Sequence, residues 1–182
     1  KDAKDKASKK DSGDKDKETD FDWIKQKLDA VRASYEDLLA EFNDSDNVYS
    51  TQLNFLDAAI EKQKQLIDLE KLAVDAYTKE WDSASAGLSD DIKEKIMFGE
   101  IDIDKYKGND KLTDQITKAK EAWSTLSEMA KQLASDQKTL EDNEKSRYTK
   151  SIEWKQSEID DLKEKADIEQ TSYEKNIQLM DE

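Results

Sequence analysis

The chain has no cysteine, no histidine and no proline, and only four glycines in 182 residues. Without cysteine there is no disulfide, no thiolate nucleophile and no Cys-ligated zinc or iron–sulfur centre. Without histidine, Ser–His–Asp triads, Cys–His pairs and HExxH metal chemistry are excluded together. A Cys-free chain survives in any redox compartment, so that absence places the protein in none. The missing proline and scarce glycine leave little turn material for a β-rich fold. Neither GxGxxG nor GxxxxGK[ST] occurs, so the usual phosphate-cradling loops are missing. Apolar residues are also few, at 35% against 41% charged. A thick core is not expected from that balance; an elongated helical fold with a thin apolar seam is. No apolar run approaches the ~20 residues of a membrane span, and the first residues hold no hydrophobic signal-peptide core. The chain opens on Lys rather than Met, and we read it as a segment of something longer.

The formal charge is −15. A field of that sign repels nucleic-acid phosphates and anionic lipid, so neither nucleic acid nor membrane is expected as a partner of this segment. Residues 1–20 are neutral overall, with seven Lys against six Asp and one Glu. They hold nothing larger than Ala to anchor a core and read as a disordered charged linker.

Patterning starts at Phe21. Phe21, Ile24, Leu28, Val31, Tyr35, Leu38 and Phe42 follow steps of three and four, which is a heptad seam. A helix is expected over 21–43, ended by the turn formers Asn43, Asp44, Ser45, Asp46 and Asn47. A second helix restarts near Val48 along Tyr49, Leu53, Leu56, Ile60, Gln63, Ile67, Glu70, Val74, Tyr77 and Trp81. It carries another apolar row, Phe55, Ala59, Leu66, Leu69, Ala73 and Ala76, a stripe wide enough for a third helix or a partner chain. Gln63 and Glu70 either specify register or lie at the edge of a drifting stripe.

Gly87, Gly99 and Gly108 bound a stretch where the helical rhythm fails. Gly87 suits the position just past a helix end. Ser89 caps a short helix over 89–98, and GEIDIDKY reads as an extended piece because Ile101 and Ile103 alternate with acids. From 109 the helical pattern runs to 182 through Leu112, Ile116, Ala119, Trp123, Leu126, Ala130, Leu133, Gln137 and Leu140. Glu144, Tyr148 and Ile152 follow at steps of four, a stutter that unwinds a supercoil locally. Ile159, Leu162, Ala166, Tyr173, Ile177 and Met180 restore the stripe.

These pieces predict an all-α fold: a long antiparallel coiled-coil hairpin with a short Gly-rich apical cap. The first arm is 21–86, two consecutive helices with a break at 43–47. The cap is 87–108 and the return helix 109–182. Break 43–47 then faces about 151–155, where Trp154 covers the gap. Trp81 and Trp123 flank the reversal and are expected to stack beneath the cap. Trp23, Trp81, Trp123 and Trp154 read as core packing. Asp102 and Asp104 lack the remainder of an EF-hand loop and read as caps or solvated acids, so no metal or cofactor is expected. No catalytic residue is assigned, because thin helices rarely build the cleft a carboxylate pair needs; the chain does not read as an enzyme.

FDWI at 21–24 after a Lys/Asp-rich linker, GLSDDIKEKIMFGEIDID at 87–104 and KEAW at 120–123 resemble a coiled-coil region of tail tape measure proteins from phages and prophages of Gram-positive gut bacteria. The likeness covers about 21–145, and the GLS–helix–G-x-IDI element is its specific part; the last forty residues resemble long helices in general. The resemblance implies a structural segment that scaffolds tail assembly and sets tail length. It also implies protein partners (tail tube or tail assembly proteins, or other copies of the chain) and a place in the virion tail interior, with the host cytoplasm during assembly. Phe21, Trp23, Ile24, Trp81, Gly87, Leu88, Gly99, Ile101, Ile103, Trp123 and Trp154 are the structural and interaction residues singled out. The alternative is a secreted or cell-surface bacterial coiled-coil module that docks a protein through the second row of helix two. The pattern leaves the oligomeric state open. A hydrodynamic radius well above that of a 21.0 kDa sphere is expected, as light scattering on the purified chain would measure.

Overall fold

A computed structural model describes residues 15–44 and 48–180, with side chains described from residue 22. The linker expected over 1–20 therefore lies mostly outside the described residues. The order of elements is α1 (Lys15–Asn43), α2 (Tyr49–Ser85), α3 (Asp90–Met97), a 3₁₀ turn (Ile103–Tyr106) and α4 (Asp110–Met180). The fold is all-helical, as the periodicity predicted, and no strand occurs among the described residues. Helix α1 begins at Lys15, ahead of the expected Phe21.

Two compact units divide the chain. The first comprises Lys1–Ala33 with Gln63–Lys138, and the second Ser34–Lys62 with Thr139–Glu182. In the first unit Leu28 of α1 forms one buried cluster with Leu66 and Ala73 of α2. Ile24, Val31, Leu69, Tyr77 and Met129 pack around it. This corrects the expected first arm. Laid end to end, residues 28 and 66 would stand about 57 Å apart, at ~1.5 Å per residue. The chain instead doubles back between α1 and α2, and α1 lies alongside α2. The physical reason is the width of the α2 stripe. Its second row, Leu66, Ala73 and their neighbours, needs a cover that α4 alone does not supply, and α1 of the same chain supplies it.

The same unit holds the 87–108 connection. Leu88, Ile96 and Ile101 join Ile116 and Ala119 of α4 in a second buried cluster, flanked by Trp81, Ile92, Ile103, Tyr106, Leu112 and Trp123. Helix α3 starts on Ser89, whose side chain accepts a hydrogen bond from the Ile92 N–H. It ends in a Schellman arrangement: the Gly99 N–H donates to Ile96 O (3.1 Å) and the Glu100 N–H to Lys95 O (2.8 Å). The extended piece expected at GEIDIDKY is shorter than predicted. Asp102 is extended, and its side chain accepts from the Asp104 N–H, which turns the chain directly into the 3₁₀ turn.

In the second unit Leu53, Leu56, Ala59 and Ile60 of α2 are buried, with Tyr35 of α1. The Tyr35 hydroxyl accepts from Asn143 Nδ2 at 2.9 Å. Arg147 of α4 meets Asp57 of α2 through both Nε (2.8 Å) and a terminal nitrogen (3.2 Å). Lys150 Nζ stands 5.8 Å from the Tyr49 ring centre. The expected stutter is absent from the buried face. Tyr148 and Ile152 are exposed, while Asn143, Lys150 and Trp154 keep the three–four spacing on the half-buried side. From Glu158 to Met180 every residue of α4 is exposed. The restored stripe there covers nothing among the described residues, because α2 begins at Tyr49 and offers no residue beyond it.

Gly87 has φ +82, a left-handed conformation that side chains with a Cβ resist. Nothing lies within 4 Å of a Cβ added there, so the cost of substitution is conformational rather than steric. Gly87→Val is expected to destabilise the protein by about 1 kcal/mol or more, seen as a lower urea midpoint; an unchanged midpoint would mean that the turn rearranges freely.

Candidate functional site

Two features of the first unit concentrate the residues that the sequence singled out. The first is the connection itself. Trp81 of α2 and Trp123 of α4 meet in a tilted ring contact, with ring centres 5.1 Å apart and planes at 56°. Trp123 Nε1 donates to Met97 O at 3.2 Å, which ties α3 to α4. Gln115 Nε2 donates to Ala86 O, satisfying a carbonyl at the end of α2. Thr113 Oγ1 donates to Tyr106 O at 3.0 Å. Leu88, Ile101, Ile103, Trp81 and Trp123 thus come together in one cluster. Gly87 and Gly99 set the turns beside it, both at positive φ.

The other singled-out residues lie elsewhere. Ile24 packs beside Leu28 in the α1 cluster. Trp154 is half-buried on α4 in the second unit. Phe21 lies outside the residues whose side chains are described. Trp23 is 51% exposed, so core packing is not its role: it follows Asp22 on the outward side of α1, one position before the buried row.

The second feature is a polar cluster in the seam of the first unit, and sequence reading caught only half of it. Gln63 and Glu70 of α2 are both 0% exposed. Arg32 of α1 reaches Glu70 Oε1 at 2.7 Å and Asp136 Oδ2 of α4 at 3.0 Å. Gln132 Nε2 donates to the same Asp136 oxygen at 3.1 Å. Gln63 Nε2 donates to Asp136 O at 3.3 Å. These contacts join α1, α2 and α4 at one level, so Gln63 and Glu70 lie inside the seam and not at a drifting edge. Arg32 and Asp136 were missed because only apolar positions were followed. In α4 the inward step from Leu133 goes to Asp136, one place before the Gln137 that the apolar pattern selected. The available signal was charge: a base beside Val31 and an acid at three–four spacing in α4 are complementary.

The cluster is electrostatically frustrated. Glu70 Oε2 is buried with no hydrogen-bond donor. Burial raises the Glu70 carboxyl first, the Asp136 hydrogen bond and charge raise it further, and Arg32 pulls it back, leaving its pKa at about 8. Burial also pushes Asp136 upward, but hydrogen bonds with Glu70, Gln132 and Arg32 outweigh that and hold it below its usual value. A protonated Glu70 beside an ionised Asp136 is the state these directions describe.

The remaining surface offers little concavity. An open cleft in the second unit is lined by Phe42, Asn43, Gln52, Lys145, Thr149 and Lys150. Among the described residues no group of three or more potential metal ligands converges. No helix of the described residues is long and apolar enough to cross a membrane. Searches against protein-family models, curated proteins and solved structures find no match to this chain.

Arg32→Ala would leave two acids facing each other in the seam and is expected to cost about 2–4 kcal/mol. Arg147→Ala removes an exposed pair and is expected to cost less than about 1 kcal/mol. Urea denaturation of the two variants checks the contrast; equal losses would show that the buried cluster contributes no more than a surface pair.

Proposed function

We propose that this chain is a structural segment of a phage or prophage tail tape measure protein, acting in tail assembly and in setting tail length. The observation that carries this reading is the 87–108 connection. The GLS–helix–G-x-IDI element, which is the specific part of the resemblance, has a mechanical use for each of its signature residues. Ser89 starts the helix, Gly99 stops it in a left-handed turn, and Ile101 is buried against α4. In this reading α2 and α4 are the arms of an antiparallel coiled-coil hairpin, 87–108 is its apical cap, and α1 is a third helix laid on the arms. Its partners are tail tube or tail assembly proteins, or further copies of the chain. Its place is the tail interior, after assembly in the host cytoplasm.

A ruler that measures by length works best extended, whereas α1 and α2 are folded side by side. The segment therefore serves either as a folded module within the ruler or as the relaxed form outside the tube. Deleting 87–182 in frame from the parent gene is expected to shorten tails by up to about 140 Å if the segment is extended in the tube, at ~1.5 Å per residue. Electron microscopy of negatively stained particles measures this. Tails of unaltered length and number would overturn a part in length determination.

The second reading is a non-catalytic coiled-coil module that binds another protein, at a cell surface or after secretion. The second row of α2, its expected docking face, is occupied by the chain itself, with Ala59 and Leu66 buried. The observation that favours this reading is the exposed apolar set on α4: Ile159, Leu162, Ile168, Tyr173 and Leu179. Neighbouring genes separate the two: tail tube, tail chaperone and portal genes support the ruler, and sortase or secretion genes the binding module.

A further inference from the structure

Three ionisable side chains meet in the interior of the first unit: Arg32 from α1, Glu70 from α2 and Asp136 from α4. One guanidinium serves two carboxyls. Its contacts account for one Glu70 oxygen and one Asp136 oxygen, and Gln132 adds a donor to the Asp136 oxygen already used. Glu70 Oε2 remains buried with no donor. With both acids ionised the cluster carries a net negative charge, part of it on an oxygen with nothing to bind. Such a charge is costly to bury, and removing α1 would expose it to water. A proton on Glu70 resolves the conflict. It neutralises the buried carboxyl and turns the orphan acceptor into a group able to donate to Asp136.

We propose that α1 is fastened to the first unit by a proton held on Glu70, so that the α1 segment 22–33 works as a clasp that loosens as the medium becomes alkaline. Release of the clasp would bare the row of α2 at Leu66, Leu69 and Ala73, which α1 now covers. The charged groups facing Glu70 from the packed elements are Arg32 on α1 and Asp136 on α4. Both keep one charge state through the neutral range: the guanidinium is always charged, and Asp136 is held below its usual carboxylate value.

The direction follows from linkage. Glu70 binds its proton more tightly in the closed cluster, up to about 8, than when opened to water, at 4.5. The closed state is therefore most favoured below 4.5 and loses that advantage as the pH climbs from there through about 8. Asp136 acts in the opposite sense, and only at acid pH, where its stabilising charge is lost. The chain has no histidine and no cysteine, so no other side chain with an ordinary value titrates between pH 5 and 8.

Hydrogen exchange of the full chain, read by mass spectrometry and corrected for intrinsic base catalysis, tests the clasp. Protection of α1 peptides covering 22–33 is expected to fall by about tenfold for each pH unit between 5 and 8, while α4 peptides covering 112–126 hold theirs. Glu70→Gln, which keeps the neutral shape and supplies a permanent donor, is expected to make α1 protection independent of pH. A wild-type α1 whose protection does not change with pH, or falls only in step with α4, would overturn the proposal. So would a Glu70→Gln chain that keeps the wild-type dependence. As a check that needs no variant, the Glu70 side-chain carbonyl carbon should titrate well above pH 6 by NMR; a midpoint near 4.5 would overturn it as well. None of these outcomes bears on the tape measure reading, which stands or falls on tail length.

Discussion

The constraint on which the first unit depends is the breadth of the α2 apolar stripe. A helix with two adjacent apolar rows leaves one of them wet against a single neighbour, and the loss grows with every exposed Leu or Ala. Helix α1 removes that loss by lying back along α2, with Leu28 against Leu66 and Ala73. Three helices meeting along one line then create a narrow interior along the inward face of α2, while Asp68, Lys71 and Leu72 stay exposed on its other side. Gln63 and Glu70 fall on that line and are fully enclosed. The charged cluster is thus a product of the packing: enclosure by α1 and α4 is what turns an ordinary acid on a heptad position into a buried one.

Much of this was legible in the sequence. The helices, their ends to within a few residues apart from the start of α1 at Lys15, the capping Ser89 and the left-handed Gly87 all follow from periodicity and from side-chain hydrogen bonding. The meeting of Trp81 with Trp123 was expected from their places on either side of the 87–108 stretch, at comparable distances from it. The sense of the 44–48 break was not legible. Asn43, Asp44, Ser45, Asp46 and Asn47 state that a helix stops; nothing in them states whether the next helix continues or returns. That information lay in the α2 stripe, whose second row already called for a third helix, and the sequence alone left open where that helix came from. The polar half of the seam was also hidden. Asp136, Asn143 and Arg147 hold the heptad in α4, yet a pattern that counts only apolar positions steps over them and reports a stutter at Tyr148 and Ile152.

The 87–108 connection shows how a short segment can be definite without a large core. Its buried residues, Leu88, Ile96 and Ile101, are few. Its backbone groups are instead accounted for one by one: Ser89 at the start of α3, the paired Gly99 and Glu100 bonds at its end, Asp102 at the next turn, and Asn109 accepting from the Leu112 N–H before α4. Hydrogen bonds of this kind are directional and set angles between elements more sharply than apolar contact does.

The exposed end of α4 has a consequence of its own. From Glu158 to Met180 every residue is exposed, nothing among the described residues packs on the helix, and what remains is backbone hydrogen bonding with local side-chain links such as Gln156 to Asp160 and Gln170 to Glu174. A helix of that length is marginal when it must nucleate alone, but propagation from a turn already formed costs far less. The turns of α4 up to the half-buried Asn143, Lys150 and Trp154 act as the seed, and each successive turn is borrowed from the one before it. Unwinding should therefore travel inward from Met180 as a moving boundary. The lifetime of an amide along 158–180 would then report its distance from the last supported turn.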